Sequence, residues 1–141
     1  MKVLFIVPYP FATTPSQRLK FEQYFDYFKA QGIVLCFRPF VSPGFREVIY
    51  LKGYFFKKIV FTLWGYLKRI RDIWIARKYD IIYLHLEAAP FGPPIFEYIL
   101  YKMRKPIIYD IDDIVYLPHV SKANNFIGFL KCCTKVKAII K

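Results

Sequence analysis

The run "KVLFIV", Lys2 to Val7, is apolar at five successive positions and stops at Pro8. A strand with one wet face alternates apolar and polar residues, so a short unbroken run rich in β-branched residues fits a strand covered on both faces, as in a parallel sheet. Parallel neighbours need long crossover connections, usually helices. Three more runs meet that demand: "IVLCFRPF" from Ile33, "DIIYLHL" from Asp80 and "PIIYDI" from Pro106. Between the first two, Thr14 as a cap, Pro15 in the first turn and Gly32 past the end bracket a helix, with Leu19, Tyr24, Phe25 and Phe28 at helical spacing. "PPIFEYILYKMRK" supplies another before the last strand, and Asn125 to Lys141 reads as a further helix. The alternation predicts an α/β fold, a parallel sheet flanked by helices with right-handed crossovers. A chain of 141 residues, 56% of them hydrophobic, suits one domain with a substantial core.

One segment stands apart. From Phe45 to Lys78 nine Lys and Arg face two acidic residues, a local +7 in a chain of net charge +12. Its longest uncharged run, Ile59 to Leu67, is nine residues, while a spanning helix needs about 20. The segment reads as a basic, aromatic helical insertion at about 45–78. It either lies along an anionic bilayer surface or packs as an ordinary core helix with its charged face in water. The chain is 21% aromatic, more than one small domain can bury.

Cys36 and the adjacent Cys132 and Cys133 form neither a disulfide framework nor a metal-ligand spacing, which points to free thiols in a reducing compartment. Pro8 and Pro10 cut the N-terminal apolar run too short for a signal peptide. The expected location is cytoplasmic, peripheral at the inner face of the membrane if the basic segment docks there.

In open parallel sheets ligands collect at the carboxyl ends of the strands, and each chemical candidate falls at such an end. After the first strand come Thr13, Thr14, Ser16 and Arg18, a helix start plus a guanidinium that suits a phosphate, with an N-cap and a solvated arginine as the plainer reading. The third strand ends in "LHLEAAPFGPP", where His85 and Glu87 share one side. They are a tuned acid or base or, more simply, a satisfied buried histidine beside a carboxylate. The fourth ends in "IIYDIDDIVYLP", with Asp110, Asp112 and Asp113 in four positions. A phosphohydrolase nucleophile pair is disfavoured because that motif follows a first strand and needs downstream partners; a D-x-D metal motif rests on three residues alone. A turn in which Asp110 or Asp113 binds backbone amides is the structural alternative.

Taken together, "VLFIVPYPFATTPSQRLKFEQYFDYFKAQG", "YDIIYLHLEAAPFGPPIFEYIL" and "KPIIYDIDDIVYLP" resemble the N-terminal domain of a group 1 (family 4) retaining glycosyltransferase of GT-B architecture, over Met1 to Gly32 and Tyr79 to Pro118. The resemblance implies a Rossmann-like domain that binds a glycan or lipid-linked acceptor, with polysaccharide biosynthesis as the setting. A second Rossmann-like domain would hold the nucleotide-sugar donor, and transfer would need no metal and no cofactor bound by this domain. By position it implies that Thr14, Ser16 and Arg18 lie near the donor diphosphate, and that Glu87, Asp110 and Asp113 line the cleft. Asp112 takes the place where many relatives carry a histidine against the transferred sugar, and so becomes the catalytic candidate. The donor domain, with its E-x7-E motif, has no counterpart in these 141 residues. The expectation is a single domain, 1–141, inactive alone as a truncated half that requires a C-terminal partner. A basic nucleic-acid-binding module, or a membrane-surface module without catalysis, is the competing class.

Overall fold

The structure is a computed structural model that describes residues 1–51, 53–90 and 92–111. The sequence-read helix at 125–141, Cys132 and Cys133 lie outside them. Chain order is β1 (Lys2–Val7), α1 (Pro15–Lys20), a 3-10 turn (Glu22–Tyr24), α2 (Phe25–Ala30), β2 (Val34–Pro39), α3 (Pro43–Ile49), α4 (Phe55–Ala76), β3 (Ile81–His85), α5 (Ile95–Lys102) and β4 (Ile107–Asp110). All four strands form one parallel sheet in the order β2-β1-β3-β4. This is a Rossmann-like α/β arrangement.

The unbroken apolar character of β1 is explained by the two cores it feeds. Val3, Phe5 and Val7 pack with Phe21 and Phe25 on one face, while Leu4 and Ile6 pack with Ile73, Ala76, Ile82, Leu84 and Leu100 from α4, β3 and α5 on the other. Alternate residues of a strand point to opposite faces, so a doubly covered strand has no position left for a polar side chain.

Two local features depart from the sequence reading for identifiable reasons. The helix expected to run unbroken from Pro15 towards Gly32 is interrupted at Phe21, whose backbone turns to φ −142° and ψ −31°. That turn drives the Phe21 ring between Phe5, Tyr83 and His85. It also swings Glu22 inward to accept from the Ala12 amide at 2.9 Å and from Gln17 at 3.1 Å. Secondly, α4 inside the 45–78 segment is the connection from β2 to β3 itself, laid on the sheet through Ile73 and Ala76. It comes so close that a Cβ on Gly65 would sit 2.6 Å from the Phe40 ring.

Among the described residues, no helix is long and apolar enough to cross a membrane.

Candidate functional site

The strand order says where in such a sheet a ligand crevice is expected. Chain order runs outward from β1 to β2 on one side and from β3 to β4 on the other, so the direction reverses between β1 and β3. At such a switch point the loops leaving adjacent strands diverge to opposite faces and leave a cleft at the carboxyl ends. The residues delivered to this point are Ser16, in the first turn of α1 after the loop that leaves β1, and His85, the last residue of β3.

They meet. The Ser16 hydroxyl lies 3.3 Å from His85 Nε2, and His85 Nδ1 lies 2.8 Å from Asp110 Oδ2. Parallel pairing sets His85 opposite Asp110 across β3 and β4, which is how residues 25 positions apart are brought together. Tyr83, two residues before His85 and hence on the same face, donates to Asp110 Oδ2 at 2.9 Å, and Lys20 donates to Oδ1 at 2.7 Å. An ionised carboxylate only accepts, so His85 presents an Nδ1–H to Asp110, and in the neutral ring Nε2 is left to accept from Ser16.

Electrostatics agree with this assignment. Burial pushes the Asp110 carboxyl up, but hydrogen bonds from Lys20, Tyr83 and His85 more than offset it and hold the group below the ordinary carboxylate value. Burial together with the Asp110 contact raises Tyr83, which therefore stays a phenol donor. The His85 ring is fully buried, with 0% of its surface exposed, and stands edge-on to Phe21 at 5.3 Å. Its orientation is fixed on three sides.

The loops above are held by buried polar side chains. Gln17, also at 0% exposure, accepts from the Tyr9 amide and donates to the Tyr9 carbonyl and to Glu22, which shapes the loop after β1. Ala12 in that loop and Leu86 directly after β3 adopt φ of 59° and 61°, left-handed conformations that cost a non-glycine residue about 1–2 kcal/mol. Leu86 is held there because its amide donates to the Asp110 carbonyl and its carbonyl accepts from Tyr109. On the other side of the sheet, Arg69 of α4 donates to the carbonyls of Val7, Arg38 and Ala88 and to Asp72, tying β1, β2 and the loop after β3 at one point.

Of the residues singled out in the sequence, Ser16 and Asp110 are joined through His85. Thr14 occupies the cap position of α1, yet its hydroxyl makes no cap bond and finds no partner among the described residues although buried. Arg18 is exposed on α1. Glu87 stands near Tyr9 and Tyr109: Tyr9 is pushed up to about 12 by burial first, then by Tyr50, with the Glu87 charge adding to it. Asp112 and Asp113 lie outside the described residues. Lys20, Tyr83 and Arg69 were not singled out as site or anchoring residues. The period-2 relation of Tyr83 to His85 was the available signal for one, and an Arg–Asp pair three apart among apolar neighbours for another. Among the described residues, no group of three or more His, Cys, Asp and Glu is placed to hold a metal ion. No family model, curated protein or solved structure matches this chain.

Proposed function

We propose that this domain is the acceptor side of a nucleotide-sugar-dependent glycosyltransferase of the two-domain GT-B type, with the crevice between the ends of β1 and β3 receiving hydroxyl groups of a glycan or of a lipid-linked sugar. The observation that carries the reading is the hydrogen-bonded series Ser16–His85–Asp110. It joins one residue from each of the three sequence blocks on which the resemblance rests, on the side of the carboxyl ends of the strands.

The chemistry suits a polyhydroxylated ligand. A hydroxyl and an imidazole can each donate and accept, and the imidazole is held in one orientation by a carboxylate that is itself anchored at both oxygens. Ser16, whose hydroxyl lies against that imidazole, is the group placed to meet a ligand hydroxyl, with His85 and Asp110 fixing it from behind. Asp110 then acts as a positioning residue rather than a direct ligand. Asp112 remains the candidate for contact with the transferred sugar, and the donor nucleotide falls to a second Rossmann-like domain.

The test is an amide NMR titration of the chain with acceptor-type oligosaccharides, nucleotide sugars and a single-stranded oligonucleotide. Shifts at Tyr9 to Arg18, His85 to Glu87 and Asp110 on adding a saccharide support the reading. Shifts produced only by the oligonucleotide, with steep salt dependence, would replace it with nucleic-acid binding. A series in the order Ser, His, carboxylate also matches a nucleophilic triad, so a fluorophosphonate probe is included; labelling of Ser16 would move the domain to the hydrolases.

A further inference from the structure

The helix α4 is apolar on the side away from the protein. Its inner face carries Arg69, Asp72 and Gly65 against the sheet and its loops, with Ile73 and Ala76 in the core. Lys68 also turns inward, donating to the carbonyls of Pro39 and Phe40. At 100° per residue the outer arc is occupied by Phe56, Ile59, Val60, Leu63, Leu67, Ile70 and Trp74, all exposed, Phe56 at 82% and Trp74 at 74%. The helix therefore packs on the core through one face and leaves an apolar ridge, not only its charges, facing outward. At 1.5 Å per residue the ridge from Phe56 to Trp74 is about 27 Å long.

The charges along the ridge select what covers it. Lys57 and Arg71 are exposed along one border, and Arg77 and Lys78 are exposed just past the C-terminal end. The sole acidic residue of α4, Asp72, is 1% exposed beneath Arg69. A second copy laid on the same ridge would bring further cations to that border with no exposed α4 carboxylate to meet them. A sheet of anionic headgroups over an apolar interior matches both features: Lys and Arg meet the phosphates, aliphatic side chains enter the acyl boundary, and the amphipathic rings of Trp64, Trp74 and Tyr54 suit the interface. We infer that α4 is a docking face for an anionic lipid bilayer, on which it lies in the plane without crossing. This does not depend on the sugar-site reading, because neither the ridge nor its test involves Ser16, His85 or Asp110.

Both tryptophans of the chain, Trp64 and Trp74, are on α4 and so report on it directly. Vesicles of equal parts phosphatidylcholine and phosphatidylglycerol should shift their emission to shorter wavelength, with quenching by lipids brominated in the acyl chain; pure phosphatidylcholine should bind far more weakly. Leu63 and Leu67 are exposed, so Leu63→Glu with Leu67→Glu should leave the urea midpoint near native and lower the vesicle partition coefficient at least about tenfold, the loss of one buried leucine each being sufficient. Lys57→Gln with Arg71→Gln should lower it roughly twenty- to thirtyfold on the anionic vesicles alone. Unchanged emission with anionic vesicles would overturn the inference. So would equal partition into both lipids, or a concentration-dependent dimer that covers the tryptophans without lipid, which would assign the ridge to a second copy.

Discussion

Replacing Arg69 with methionine tests whether the carboxyl edge of the sheet is organised from α4. The guanidinium is 1% exposed and serves four acceptors, Asp72 and the carbonyls of Val7, Arg38 and Ala88. Burial lowers its pKa to about 10, with the Asp72 carboxylate opposing the shift, so at neutral pH it carries its charge. Methionine fills similar volume along the stem but leaves Asp72 buried without this partner. Arg38 remains, at 3.7 Å from Asp72 and partly exposed, and compensates only in part. Breaking a buried pair from one side costs about 3–5 kcal/mol, a large share of the roughly 5–15 kcal/mol that holds a domain together. The orphaned carbonyls add to this where water cannot reach them. Arg69→Met should therefore lower the unfolding free energy read from urea titration by that amount and the melting temperature by roughly 10–20 °C for a chain of this size. The double variant Arg69→Met with Asp72→Leu should be more stable than Arg69→Met alone, because the uncompensated carboxylate is gone. A single variant that loses less than about 1 kcal/mol, the worth of an exposed pair, or a double variant no better than the single, would refute the argument.

Further expectations follow from the site and the helix. Asp110→Asn should cost about 1–3 kcal/mol at neutral pH through the weakened bonds from Lys20, Tyr83 and His85. Because the folded pKa of Asp110 is depressed, its contribution is complete above the unfolded value near 4 and is lost as pH falls through the lower folded value. Native protein should thus lose stability below about pH 4 by an amount the Asn variant does not show, as read from urea midpoints against pH. Gly65→Ala would ordinarily gain about 1 kcal/mol of helix propensity, but its methyl group would sit 2.6 Å from the buried Phe40 ring. Overpacking of that kind costs about 1–3 kcal/mol, and a net loss in the urea midpoint is expected; a gain would mean that Phe40 yields freely.

How legible this was in the sequence depended on whether one element or the space between elements decided the outcome. The four strands could be read because an unbroken apolar run has few other destinations, and β1, β2, β3 and β4 all fall inside the predicted runs. The break at Phe21 could not, since it arises from the demand of Phe5, Tyr83 and His85 for a ring between them and of the Ala12 amide for Glu22. In α4 the periodicity is ambiguous, because a helix apolar on most of its circumference does not declare which side meets the sheet. The polar side chains Arg69 and Asp72, which would usually mark the wet face, mark the buried one here, where Arg69 donates to strand carbonyls and to Asp72 Oδ2. At the candidate site, Ser16 was visible as a polar residue at a helix start and Asp110 as a carboxylate at a strand end. Their link through His85 needed the register that sets His85 opposite Asp110, and Lys20 needed the fold to cross a separation of 90 residues.

The central claim is that the crevice between β1 and β3, organised around His85, receives sugar hydroxyls. Its most direct measurement is the imidazole nitrogen NMR spectrum of His85 with and without an acceptor-type oligosaccharide. Without ligand Nδ1 should carry the proton and face Asp110, and added saccharide should displace the Nε2 resonance, where Ser16 sits at 3.3 Å. Nucleotide sugars should leave it in place. An Nε2 resonance indifferent to every saccharide, or a proton found on Nε2 rather than Nδ1, would contradict the account.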